Sequence, residues 1–274
     1  MIIERIPLDP ANDEVFLDAY VAEPCADYRR KALLICPGGA YGMLDIFREG
    51  EAVAQAFMPH GYNAFVLSYS LKKSGKTFPA QLIEASLAVK HIRENAKKYG
   101  IDPNMIFVAG FSSGGHLAAC LATMWKRPDV CAAVGGKFGC NRPAGIMLLY
   151  PVISADCDVA PHMGSFRNLL GLEEPSHEQL AEVCVEKNVD ADACPVFMMH
   201  TADDEIVGVR NSLVLADAYS RLGIPFELHI YTGAPHGVAL ANKVTEENEP
   251  RFVNSRIAAW VDQAAAWAES LCVL

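Results

Sequence analysis

The sequence predicts an α/β domain built on a mostly parallel sheet with helices on both faces. Short apolar runs alternate with longer amphipathic stretches along most of the chain. Strands separated by helices imply parallel neighbours, right-handed crossovers and a sheet covered on each side. Several of the apolar runs stop at glycine-rich turns, and ligands bind beyond such strand ends in open α/β sheets. Half of the 274 residues (51%) are hydrophobic and only 20% are charged, with no repeat or low-complexity tract, so one large domain over 1–274 is expected rather than two joined by a linker.

The elements follow in order. "IERIPL" and "VFLDAYVA" alternate apolar and polar residues and suit an antiparallel edge. "KALLICPGG" is an apolar run ended by a turn, the mark of a buried strand. "REGEAVAQAFMPHGY" spaces Ala52, Val53, Ala56 and Phe57 as one helix face. "NAFVLSYS" is the next strand. "PAQLIEASLAVKHIRENAKKYG" is a long helix with Leu82, Ile83, Leu87, Val89 and Ile92 on its apolar side and Pro79 and Gly100 at its ends. "MIFVAG" then gives a strand and "GGHLAACLATMW" a helix; "GIMLLYPVI" and "PVFMMHTAD" read as strands. "VRNSLVLADAYSRLG" is a helix, "FELHIYTG" a strand and "NSRIAAWVDQAAAWAESL" a closing helix. Residues 154–190 break this rhythm: they are polar, irregular and acidic, and read as a surface insertion that either caps the site with Phe166, Leu169 and Leu170 or is a solvated excursion.

Composition removes several function classes. A net charge of −10 disfavours nucleic acid and anionic membrane surfaces as partners. No apolar run approaches the roughly 18 residues of a membrane span, and "MIIERIPLDP" lacks the basic and apolar regions of a secretion signal. The nine cysteines are scattered and mostly apolar in context, as expected of reduced thiols in the cytoplasm. None is paired at zinc-ligand spacing, so no metal site is expected.

The chemistry-bearing stretch is "FVAGFSSGGHLAAC". Gly110-Phe111-Ser112-Ser113-Gly114 has the form G-x-S-x-G between a strand and a helix. A sharp turn there strains the central residue and requires small neighbours two positions away. Gly110 and Gly114 meet that need around Ser112, whereas Phe111 is too bulky to do so for Ser113. Ser112 is therefore the candidate nucleophile, and Ser113 is expected to lend its backbone N–H. No G-K-[ST] follows, which excludes a phosphate-binding P-loop.

A serine hydroxyl needs a base and an acid that orients it, in the chain order Ser, acid, His for this class of sheet. His236 lies in the loop "YTGAPHGVAL" after the last strand and is the candidate base. His200, His229 and His116 are expected to pack, cap or make structural hydrogen bonds. Asp203 and Asp204 both follow "MMHTA"; on the residues alone one caps the turn and the other reaches the imidazole. The loop "CPGGAYG" offers the amides of Gly39 and Ala40, which with the Ser113 amide would stabilise an oxyanion. Arg48–Glu51 either approach the substrate or open a helix, the second being preferred. Arg93, Lys97 and Lys98 suit a solvated helix end.

Together, "CPGGAY", "REGEAVAQAF", "GYNAFVLSYS", "GFSSGGHLAA", "YPVI", "HTADDEIV" and "PHGVAL" resemble the α/β-hydrolase fold. More narrowly they resemble bacterial serine esterases related to hormone-sensitive lipase and to the acetyl and feruloyl esterases of plant-polysaccharide esters. The resemblance implies about eight strands with a small insertion, no cofactor, and a small-molecule ester as partner. It selects Asp204 as the acid and favours short acyl groups, acetyl above all, on a sugar. The family's oxyanion loop often reads His-Gly-Gly-Gly and an aromatic; Pro37-Gly38-Gly39-Ala40-Tyr41 replaces it here. A prolyl-oligopeptidase-like peptidase shares the elbow and the residue order, and a non-catalytic binder shares the fold. Peptide-amide turnover and fluorophosphonate labelling separate these readings. A homodimer is left open.

Overall fold

In the computed structural model, which describes residues 2–9, 12–25 and 27–271, eight strands form one sheet in the order β1-β2-β4-β3-β5-β6-β7-β8. They are β1 (Ile2–Pro7), β2 (Phe16–Val21), β3 (Arg30–Cys36), β4 (Tyr62–Ser68), β5 (Ile101–Phe111), β6 (Gly145–Leu149), β7 (Val196–Thr201) and β8 (Phe226–Tyr231). The pairs β1–β2 and β2–β4 are antiparallel and all others parallel. This is the α/β-hydrolase sheet, with the alternating leading segments at its antiparallel edge as predicted.

The central strands are apolar at every position because both of their faces are covered. Successive side chains point to opposite sides. Ala32, Leu34, Ile106, Val108, Ile146 and Leu148 therefore join one core, while Leu33, Ile35, Phe107, Ala109, Met147 and Leu149 join the other. Leu82, Val89 and Ile92 of the helix Ala80–Glu94, the helix Ser112–Met124, and Leu215 and Tyr219 of the helix Arg210–Leu222 close the first core. Val53, Phe57, Trp260 and Ala264, from Ala52–Phe57 and Trp260–Leu271, close the second.

Four details differ from the sequence reading. The long helix read between Pro79 and Gly100 breaks at Asn95 into Ala80–Glu94 and Ala96–Tyr99. "GIMLLYPVI" is a strand only to Leu149, because Tyr150 adopts φ 39° and turns the chain at the rim. The closing segment is two helices, Ser255–Ala258 and Trp260–Leu271. Residues 154–190 are not irregular: they contain the helices Met163–Leu170 and His177–Val183, the second opened by a Ser176/Gln179 capping box. Phe166 and Leu169 are buried in the first core, so the insertion is rooted in the domain. The ninth cysteine, Cys272, lies outside the described residues.

Candidate active site

The turn from β5 into the helix Ser112–Met124 shows why this stretch is rich in small residues. Ser112 sits at φ 51°, a left-handed conformation disfavoured for any residue with a side chain. A Cβ on Gly110 would lie 2.3 Å from the Gly114 carbonyl oxygen, and one on Gly114 would lie 2.1 Å from that of Cys36. A Cβ on Gly115 would meet Pro151 at 2.8 Å. The glycines thus let the elbow press against β3 and against the turn after β6. The result lifts the Ser112 hydroxyl above the carboxyl ends of the strands, while Ser113 is buried.

Ser112, His236 and Asp204 meet there. The His236 Nε2 is 2.9 Å from the Ser112 Oγ, and its Nδ1 is 2.6 Å from the Asp204 Oδ2. The other Asp204 oxygen accepts the amides of Ile206 and Val207 at 3.0 and 2.8 Å. Burial alone would raise the Asp204 carboxyl, but hydrogen bonds from His200 and His236, the His236 charge and the Val207 amide hold it well below the usual carboxylate range. An ionised Asp204 only accepts, so the imidazole carries its proton on Nδ1 and presents Nε2 to the serine as an acceptor. Asp204 therefore both caps the turn and reaches the imidazole. Asp203 has a separate role, accepting the Gly233 amide across from it.

The loop after β3 lies against the serine: a Cβ on Gly38 would stand 2.9 Å from the Ser112 Cβ. Gly39, Ala40 and Tyr41 all have positive φ. The Gly38 amide is directed away, into the Glu49 carboxylate at 2.7 Å. The amides of Gly39 and Ala40 meet no acceptor among the described residues, and the Ser113 amide stands in the first turn of its helix, where no intrahelical acceptor exists. Three side chains fix the loop. The Tyr69 hydroxyl donates to the Pro37 carbonyl at 2.6 Å, the Asn168 amide to the Ala40 carbonyl at 2.8 Å, and the Tyr41 hydroxyl to the His116 Nδ1 at 2.8 Å.

The three other histidines weighed in the sequence, His116, His200 and His229, are structural. His116, buried in the elbow helix, donates from Nε2 to the Val183 carbonyl at 2.7 Å, and burial lowers its pKa to about 4. His200 bonds Ser212 and the Val207 carbonyl behind Asp204, and His229 pairs with Glu227 at 2.6 Å. Arg93 is bound to the carbonyls of Pro103, Cys140 and Arg142, a clamp that commits three of its five N–H donors to the backbone.

The "REGE" stretch does more than open its helix, through a π-turn at Phe47–Glu51. Arg48 is buried and donates to the carbonyls of Gly237 and Thr245 at 2.7 and 3.1 Å, which pins the His236 loop. Its guanidinium lies over the Phe252 ring at 4.5 Å. Glu49, also buried, receives the Tyr150 hydroxyl at 2.8 Å. Neither role was visible in the sequence, although two adjacent charges in a stretch that packs on a sheet were the available signal. Beside His236 opens a cavity of about 590 Å3 lined by Asp203, Glu205, Ile206, Arg251 and Phe252 among others.

Comparison with known proteins agrees with the fold. The family described as BD-FAE matches residues 17–141, and the prolyl oligopeptidase family matches residues 85–265. An acetyl ester-xyloside bifunctional hydrolase from Caldicellulosiruptor lactoaceticus superposes with a TM-score of 0.80 at 33% identity, over 98% of this chain and 96% of that one. The chain belongs to the prolyl oligopeptidase family of α/β hydrolases. That match spans about two thirds of the chain. An endo-1,4-beta-xylanase B of Butyrivibrio fibrisolvens is 36% identical over 79% of this chain and 34% of its own length. An acetylxylan esterase of Xylanibacter ruminicola is 30% identical over 76% of this chain and 41% of its own. The chain thus spans less than half the length of these two relatives. Among the described residues no helix is long and apolar enough to cross a membrane.

Proposed function

We propose that the chain is a serine carboxylesterase acting on short-chain esters, acetyl first, carried by a sugar. The observation that carries this reading is the continuous line of hydrogen bonds from Ser112 through His236 to Asp204. The Ser112 Oγ attacks the ester carbonyl and passes its proton to the His236 Nε2, while Asp204 stabilises the imidazolium. Gly39, Ala40 and Ser113 amides hold the oxyanion. His236 then delivers the proton to the departing alkoxide, so the alcohol half belongs on the His236 side, where the cavity beside it lies. Water frees the acyl group by the same steps in reverse roles. The acetyl preference rests on the names of the relatives, an acetylxylan esterase and an acetyl ester-xyloside hydrolase.

We read the chain as one domain in which residues 154–190 form a fixed wall of the site, since Asn168 bonds the Ala40 carbonyl and Phe166 is buried in the core. We also place it in a reducing compartment such as the cytoplasm, where its eight described cysteines, all free, would stay reduced.

The test is a panel of acetylated xylo-oligosaccharides, nitrophenyl esters of two to eight carbons, and a prolyl peptide anilide. Acetate release with a maximum at the shortest acyl chain is expected, lost on the order of 10⁴-fold in Ser112→Ala. A maximum at eight carbons would replace the acetyl assignment. Turnover of the anilide alone would favour the peptidase reading that the match to residues 85–265 keeps in view.

A further inference from the structure

Beneath the site runs a chain of buried polar contacts that the reaction itself does not use. The Glu49 Oε2 accepts the Gly38 amide at 2.7 Å, from the loop that ends in Gly39 and Ala40. The Glu49 Oε1 accepts the Tyr150 hydroxyl at 2.8 Å, and that same hydroxyl oxygen accepts the Ala239 amide at 3.0 Å, from the loop that carries His236. The Tyr150 ring stands edge-on to the His236 imidazole, with centroids 5.0 Å apart. Both Glu49 and Tyr150 are buried, at 4% and 1% exposure. Tyr150 holds φ 39° and Ala239 φ 49° to make these contacts. An isolated carboxylate is costly to bury unless each oxygen is paired, and here each oxygen is paired to a different half of the site.

We propose that Glu49 is a positioning residue: its carboxylate ties the loop presenting the oxyanion donors to the loop carrying the base, with Tyr150 as the intermediate. Two loops distant in sequence thereby keep one spacing across Ser112. With its own N–H turned to Glu49, Gly38 leaves the amides of Gly39 and Ala40 for the substrate. Arg48, next in sequence, grips the His236 loop at Gly237 and Thr245, so the same turn of helix holds that loop at two further points.

The inference rests on the esterase reading, and the experiment separates the two. The parent enzyme, Glu49→Gln, Tyr150→Phe, the double variant and a control, Glu84→Gln, are assayed on nitrophenyl acetate, with kcat and KM measured separately and Tm recorded for each. Glu84 is another buried carboxylate, bonded to the amide and hydroxyl of Ser70 and to none of Ser112, His236, Asp204 or the Gly38–Ala40 loop. If the parent turns over no ester, the esterase reading fails; the positioning role is judged only from the variants of an active parent. Glu49→Gln is expected to lower kcat by roughly 10- to 100-fold with KM within about twofold, the scale of a small misplacement of reacting groups. Tyr150→Phe is expected to lower kcat by about 10-fold, and the double variant to be no worse than Glu49→Gln, since both cut one connection. The control is expected to lose Tm with kcat unchanged. A kcat within about twofold of the parent in Glu49→Gln and Tyr150→Phe, with Tm lowered as in the control, would overturn the proposal, as would an effect confined to KM. Should Glu49→Gln fail to fold, Tyr150→Phe, which keeps the ring, decides the matter alone.

Discussion

Two sets of left-handed residues divide the molecule. Away from the site, glycine takes most of the positive-φ positions that end helices: Gly61, Gly100, Gly171 and Gly223 each close one, while Ala160 closes another with a side chain attached. At the rim of the sheet Gly39 and Gly237 are joined by residues that are not glycine. Ala40, Tyr41, Ser112, Tyr150, Ala239 and Ala241 occupy the same region of backbone space with side chains attached. Each such residue costs on the order of 1 kcal/mol. At the rim the side chains are needed: the Ser112 hydroxyl for attack, those of Tyr41 and Tyr150 for bracing, and the buried methyls of Ala239 and Ala241 for packing the His236 loop. Strain is thus concentrated where chemistry requires it, with Ala160, Glu247 and Asn248 as the instances elsewhere among the described residues.

Replacing the strained serine with the residue used elsewhere is the sharpest trial of that contrast. Ser112→Gly is expected to abolish turnover, on the order of 10⁴-fold or more, while raising Tm by roughly 2–4 °C as the left-handed strain is relieved. A lowered Tm would show that the elbow is not strained in the way described.

The next largest effect concerns His116, which fastens Tyr41. Burial lowers its pKa from 6.5 to about 4, with the Val183 carbonyl partly opposing. Between those values the unfolded chain binds the more protons. The stability contributed by neutral His116 is therefore complete above pH 6.5 and lost progressively down to about pH 4, by about 3 kcal/mol in all. His116→Gln keeps an acceptor for Tyr41 and a donor for Val183 without the titration, so its Tm should fall less steeply than the parent's over that window. Parallel slopes would assign the acid sensitivity to other groups.

The smallest effect belongs to the other region. A Cβ on Gly223 meets open space, and its φ of 66° is the only obstacle. Gly223→Ala is expected to lower stability by about 1 kcal/mol with kcat unchanged, read from denaturant unfolding and nitrophenyl acetate turnover. A comparable loss of activity would erase the distinction between the two regions.

How much of this was legible in the sequence depends on distance along the chain. The strand pattern was readable because alternation and helical period are local. Ser112 and His236 were readable because the elbow is a compact motif and the order of partners is fixed by the fold. Between Asp203 and Asp204 the residues left the choice open, since both stand at the strand end and only the turn geometry aims one carboxylate at His236 and the other at Gly233. Glu49 and Tyr150 are 101 positions apart and share no pattern, so their pairing exists only in the folded molecule. The helices inside 154–190 were missed because they are short and mostly polar, with only Phe166, Leu169 and Val183 as deeply buried apolar anchors.

The single amide of Asn168 that holds the Ala40 carbonyl gives the inserted segment a grip on catalytic machinery it does not itself contain. Exchanging residues 154–190 between two enzymes of this kind would therefore transplant more than an entrance. The chimera would inherit a different tension on the anion-holding turn, and its maximal velocity would change together with its choice of substrate.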